Sequence, residues 1–149
     1  MTPNPSDEAI RIGPLIIHFL VTSADSNGSV AAFELTVPGS QRLAAPAHSH
    51  NAYEETIYQL QGDLTWTVNG ETHTLSPGQS LCIPRGAIHR FDNNTTQDSK
   101  SLCVITPAAL GAEYFRETAE VFKGASPTNP PDRNKLLEIM RRHGLTPAM

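Results

Sequence analysis

From residue 13 to residue 94 the chain is broken again and again by groups that turn a backbone: Gly13-Pro14, Asn27-Gly28, Pro38-Gly39, Gly62-Asp63, Asn69-Gly70, Pro77-Gly78, Pro84-Arg85-Gly86 and Asn93-Asn94. Glycine and asparagine reach left-handed conformations at low cost, and proline fixes one dihedral and removes a donor. The punctuation leaves short β-prone runs at 16–21, 30–37, 56–61, 64–68, 71–75, 80–83, 89–92 and 101–106. Many short strands between turn signals predict a mainly β fold, a sandwich or a barrel. Asn69-Gly70 between two of these runs suits a type I′ hairpin. Leu64, Trp66 and Val68 alternate with Thr65 and Thr67, so one face of that run is buried and the other wetter.

The pattern changes after Pro107. Residues 110–123 place Leu110, Tyr114, Phe115 and Phe122 at helical spacing, with Gly124 as the stop. A stretch rich in proline, serine and asparagine follows. Asp132 then reads as the N-cap of a second helix over 133–143, with Leu136, Leu137, Ile139 and Met140 as its apolar stripe and Gly144 as its C-cap. The expected organisation is a flexible lead over 1–9, a β barrel over 10–107 and a helical extension over 108–149.

A chain of 149 residues is long enough for one domain with its own core. Its net charge of −4, without a basic cluster, argues against nucleic acid as a main partner. No apolar run reaches the length of a membrane span. The opening Met1-Thr2-Pro3-Asn4-Pro5 lacks the basic and apolar regions of a signal peptide. Cys82 and Cys103 do not have metal or redox C-x-x-C spacing. The expectation is a cytoplasmic protein with two reduced thiols.

His48-Ser49-His50 is the chemical signal. Side chains alternate along a strand, so two histidines one residue apart share a face and can reach one ion. Glu55 and His89 could complete a mixed nitrogen and oxygen site, which suits a divalent transition metal better than calcium or magnesium. Glu54 competes with Glu55 for the carboxylate role. Ile57 and Gln59 share parity with Glu55 and are candidate pocket residues, though a neighbouring strand would satisfy Gln59 equally well. Trp66 and Phe91 are barrel-lining residues, as core or as pocket wall. Cys82 is a weaker candidate for the interior. His18, His73 and His143 read as structural or exposed, Arg85 as a turn residue, and Asn93 as shaping the loop after His89.

These residues also fall into a known pattern. His48-Ser49-His50, four residues, Glu55, six residues, Gly62 is similar to the first motif of the cupin superfamily. Gly78, five residues, Pro84-Arg85-Gly86, two residues, His89, three residues, Asn93 resembles its second motif. The six-residue spacing to Gly62 favours Glu55 over Glu54. One departure is the leading glycine: Gly39 is separated from His48 by the eight residues 40–47, a longer loop at the barrel mouth than the pattern has.

The layout resembles small single-domain cupins grouped with quercetin dioxygenase. The resemblance implies a single double-stranded β-helix, or jelly-roll, barrel with one or two C-terminal helices. It also implies one divalent transition-metal ion (Fe, Mn, Ni, Co, Cu or Zn) on His48, His50, Glu55 and His89. The implied activity is that of a dioxygenase on a small oxygen-rich molecule of flavonol, enediol or diketone type, with Glu55 as general base. A metal-assisted isomerase or epimerase and a non-catalytic small-molecule binder are the alternatives. A homodimer is implied as well, and an apolar edge at 16–21 would fit such pairing.

Overall fold

The computed structural model describes residues 9–40 and 47–148. The strands are β1 (Ala9–Ile12), β2 (Leu15–Val21), β3 (Ala31–Val37), β4 (His48–His50), β5 (Glu54–Gln61), β6 (Leu64–Val68), β7 (Glu71–Leu75), β8 (Ser80–Ile83), β9 (His89–Asp92), β10 (Ser99–Thr106) and β11 (Leu145–Pro147). A single-turn helix, α1 (Ser23–Ser26), follows β2; α2 (Ala112–Phe122) and α3 (Arg133–Arg142) follow the barrel. One antiparallel sheet has the order β1-β2-β3-β10-β5-β8, and the other has β11-β4-β9-β6-β7. The architecture is mainly β: two sheets in a jelly roll with C-terminal helices.

Strand alternation builds the core. Along β10, Ser99, Ser101, Cys103 and Ile105 are buried, while the residues between them are partly exposed. Because β10 pairs with β3 on one side and β5 on the other, it aligns Cys103 with both Phe33 and Ile57. From the second sheet Leu64 and Trp66 enter the same core. The predicted hairpin forms: Asn69 and Gly70 have φ of 50° and 81°, both positive as a type I′ turn requires. Asn69 also accepts from the Ile88 backbone N–H through Oδ1 at 2.9 Å, and its own N–H donates to the Ile88 carbonyl at 2.7 Å. The hairpin tip therefore fixes the residue immediately before His89.

Three expectations change. The 16–21 run is not an edge: Gly13, at φ 55°, turns the chain so that β1 pairs along β2 from Ala9↔His18 to Ile12↔Leu15. The apolar edge invoked for subunit pairing is thus covered by the chain itself. Cys82 is exposed, because its neighbour Ile83 takes the inward position on β8. The C-terminal extension is not purely helical. After α3, capped by Asp132 accepting from the Asn134 and Lys135 N–H groups, the chain turns at Gly144 and adds β11 to β4. The expected lead lies outside the described residues except for Ala9, as does most of the expected mouth loop, 41–46.

Candidate metal centre

Four short backbone pieces converge at one end of the barrel. β4 carries His48 and His50, β5 begins with Glu54 and Glu55, and β9 begins at His89, opposite His48 in the register. β5 shares its other edge with β8, which aligns Glu55 with Ile83. Pleating sends adjacent side chains to opposite faces. Glu55 therefore points inward and is nearly buried, while Glu54 points outward and accepts from Arg85 Nε at 2.6 Å. That guanidinium holds the Glu54 carboxyl below its ordinary range by its hydrogen bond. Arg85, read as a turn residue, is thus also the partner that occupies the rival carboxylate.

One ligand atom each from His50, Glu55 and His89 lies within 4.8 Å of the others. Glu55 Oε1 is 3.4 Å from His50 Nε2 and 3.7 Å from His89 Nε2. Donor atoms about 2 Å from one ion stand roughly 3–3.5 Å apart, so this spacing is close to that of a shared ion. His48 lies beside the group, its ring 4.6 Å from that of His89 and 6.4 Å from that of His50.

The hydrogen bonds orient these rings. His50 Nδ1 is 3.0 Å from the Tyr53 carbonyl, and His89 Nδ1 is 2.9 Å from the Ala87 carbonyl. A carbonyl only accepts, so each Nδ1 donates, and Nε2 is the atom each ring turns toward a ligand. Both Nε2 atoms are buried and have no hydrogen-bond partner. Burial would raise the Glu55 pKa, but a hydrogen bond from His50 and the charge that His89, His50 and His48 carry when protonated hold it below its ordinary value. Burial lowers the His89 pKa against the opposing pull of Glu55, which keeps that ring neutral. Two orphaned imidazole nitrogens facing a carboxylate oxygen repel unless a cation sits among them. A proton serves in part; a divalent metal serves all three atoms at once. The residues present fit such an ion.

The site opens onto a cavity of about 120 Å³. His48, Glu55 and His89 line it together with Tyr53, Trp66 and Phe91, and α2 and β11 add Tyr114, Phe115, Phe122 and Leu145. The wall is mostly carbon. Trp66 and Phe91 pack at a tilt with ring centroids 5.0 Å apart, and Tyr53 lies almost parallel on His50 at 3.9 Å. Tyr53 shares parity with Glu55, which is the signal that could have found it. Tyr114, expected only as an apolar helix contact, is on the wall because α2 folds back over the barrel mouth.

Ile57 and Gln59 are fully buried but do not line the cavity. The Gln59 amide is satisfied by protein: its nitrogen faces the Gln61 and Gly62 carbonyls and Ser99 Oγ at 2.8–3.0 Å, and its oxygen accepts from Ser101 Oγ at 2.6 Å. We expect Gln59→Leu to lower stability by about 2–3 kcal/mol, because Ser101 and two carbonyls lose a buried partner. A urea melt reads this, and an unchanged midpoint would contradict it. Asn93 ties its loop in the same manner, donating to the Val37 and Gln97 carbonyls at 2.9 and 2.8 Å.

Among the described residues no helix is long and apolar enough to cross a membrane. The family model "Cupin domain" matches residues 34–105. Quercetin 2,3-dioxygenase of Bacillus subtilis is 32% identical over 79 residues, covering 52% of this chain and 22% of that protein. The chain spans less than half the length of the curated relatives it matches. Among solved structures, a predicted oxalate decarboxylase of Thermotoga maritima superposes with a TM-score of 0.61 at 22% identity, covering 72% of this chain and 99% of that one. KdgF from Halomonas sp. gives 0.59 at 17% identity, covering 70% and 89%. At these identities the structural likenesses establish the fold.

Proposed function

The chain belongs to the cupin superfamily, and on that premise we propose that it is a metal-dependent enzyme of dioxygenase type acting on a small oxygen-rich organic molecule. The observation that carries this reading is the pair of buried, unpartnered Nε2 atoms on His50 and His89 facing the Glu55 carboxylate beside a mostly apolar cavity. His48, His50, Glu55 and His89 would hold one divalent transition-metal ion. Such an ion supplies Lewis acidity toward an oxygen donor and, when redox-active, access to dioxygen chemistry.

The protein's own groups have separable tasks. The Tyr53 and Ala87 carbonyls fix the His50 and His89 rings, so that neither nitrogen must reorient when the substrate arrives. Glu55, whose pKa lies below its ordinary value, would accept a proton from an enol or enediol hydroxyl. Trp66 and Phe91 give that transfer an apolar surrounding. In the dioxygenase reaction dioxygen is the co-substrate, one carbon–carbon bond of the substrate breaks, and both oxygen atoms end in the products. Similarity to a quercetin 2,3-dioxygenase over half of this chain supports this class.

Purified protein should retain close to one transition-metal ion per chain by elemental analysis. When reloaded with iron, manganese, nickel, cobalt or copper, it should consume oxygen with at least one member of a panel of flavonols, enediols and diketones. Metal-free protein that takes up no ion would sink the metal reading. Loaded protein without oxygen uptake would remove the dioxygenase assignment and leave a non-oxidative isomerase or a binder.

A further inference from the structure

We infer that Tyr114, on the C-terminal helix α2, determines which molecules the metal cavity accepts, restricting it to compact, largely apolar molecules of about one ring that present an oxygen acceptor. This rests on the metal-site reading above and narrows its substrate class. The cavity measures about 120 Å³. A protein cavity of roughly 150 Å³ holds benzene, so the space here can enclose a short diketone or a single ring but not the whole of a tricyclic flavonol.

The barrel supplies most of this lining, and the α2 segment adds one side of it with Leu110, Tyr114, Phe115, Thr118 and Phe122. Tyr114 is the member of that group that combines bulk with a phenol. It is buried, and its ring packs edge-on against Phe115 at 5.0 Å and against His143 of the α3 end at 5.6 Å. His143 is itself held by Glu117, so the ring is braced from two sides. Burial, opposed by Thr118 and aided by the Glu55 charge, pushes the Tyr114 phenol up to about 12. At neutral pH it keeps its proton and is a hydrogen-bond donor within the field of Glu55. A mostly apolar wall that carries the Tyr114 phenol, the unpartnered Trp66 Nε1–H and the Glu55 carboxylate selects a small molecule with an apolar body and a polar edge.

The test is calorimetric titration of the full chain loaded with zinc, which cannot turn substrate over by redox chemistry, using 2,4-pentanedione, catechol and quercetin as probes. Wild-type protein should bind pentanedione or catechol and give no heat with quercetin. Tyr114→Ala should gain quercetin binding by about tenfold or more relative to the small probes, because the wall is opened. Phe122→Ala, at a half-buried position on the same wall, enlarges the space without relying on the Tyr114 variant to fold. Tyr114→Phe should keep quercetin out while weakening the small probe by about fivefold, the value of one lost hydrogen bond.

Wild-type protein that binds quercetin as well as pentanedione overturns the inference, as does one that binds none of the three probes. An unchanged preference in both enlarged variants also overturns it. Zinc content is measured on the same samples: failure to hold zinc refutes the metal reading, whereas bound zinc with unchanged size preference refutes only the role of Tyr114.

Discussion

Replacing His50 by alanine is expected to abolish retention of divalent metal through dialysis and to weaken its affinity by at least about a hundredfold. His50 is fully buried, stacked on Tyr53, and offers a lone pair that the Tyr53 carbonyl has already oriented. Its neighbours have their own places in the site: Tyr53 fills one flank, and His89 is committed by its own bond to Ala87. Three comparison variants make the result specific. Glu55→Ala should lose metal to a similar degree, whereas Glu54→Ala, on the outer face beside Arg85, should retain it. His73→Ala removes a part-exposed histidine next to Glu71, outside the cluster, and should change nothing. Competition against a chromophoric chelator reads all four. Retention by His50→Ala, or equal losses from Glu54→Ala and Glu55→Ala, would contradict the assignment of the site.

The choice between those two carboxylates shows what a sequence can carry. Strand parity only sets Glu54 and Glu55 on opposite faces; the resemblance to the cupin motif, through the spacing to Gly62, named Glu55 as the inward one, and in the structure Glu55 is buried while Glu54 meets Arg85. The hairpin at Asn69-Gly70 was legible locally: positive φ at two successive positions is a property of those residues. The helix cap at Asp132 is local as well. What could not be read depends on chain return. Gln59 looked free to face a substrate because its partners, Ser99 and Ser101, lie some forty residues away on β10. β1 was hidden because four residues gain a strand's conformation only by pairing with β2. The cavity wall was hidden too, since Tyr114 and Leu145 reach the histidines only after two helices have folded back.

Leu145-Thr146-Pro147 is the least strand-like of these segments, and cutting the chain after Gly144 is the second large effect we expect. β4 has only three residues, and its register with β9 is the single pair His48↔His89. Its other edge is held by β11 through Leu145↔His50, Thr146↔Ser49 and Pro147↔His48, continued by the Ala148 N–H donating to the Ala47 carbonyl at 2.7 Å. Without β11 the histidine strand becomes an exposed edge and the cavity loses Leu145, a buried wall residue. Leu145→Ala alone should cost about 2–4 kcal/mol, the usual loss for a buried leucine. The truncated chain should lose more, and its zinc affinity should fall by about tenfold through misplacement of His48 and His50. Thermal melts with and without zinc separate the two effects. A coupled segment makes the zinc-induced rise in melting temperature shrink along with the apo stability. A β11 that only covers the surface lowers the apo melting temperature and leaves the zinc-induced rise intact. That second pattern would reduce the terminal strand to packing, whereas the first makes it part of how the chain holds its histidines.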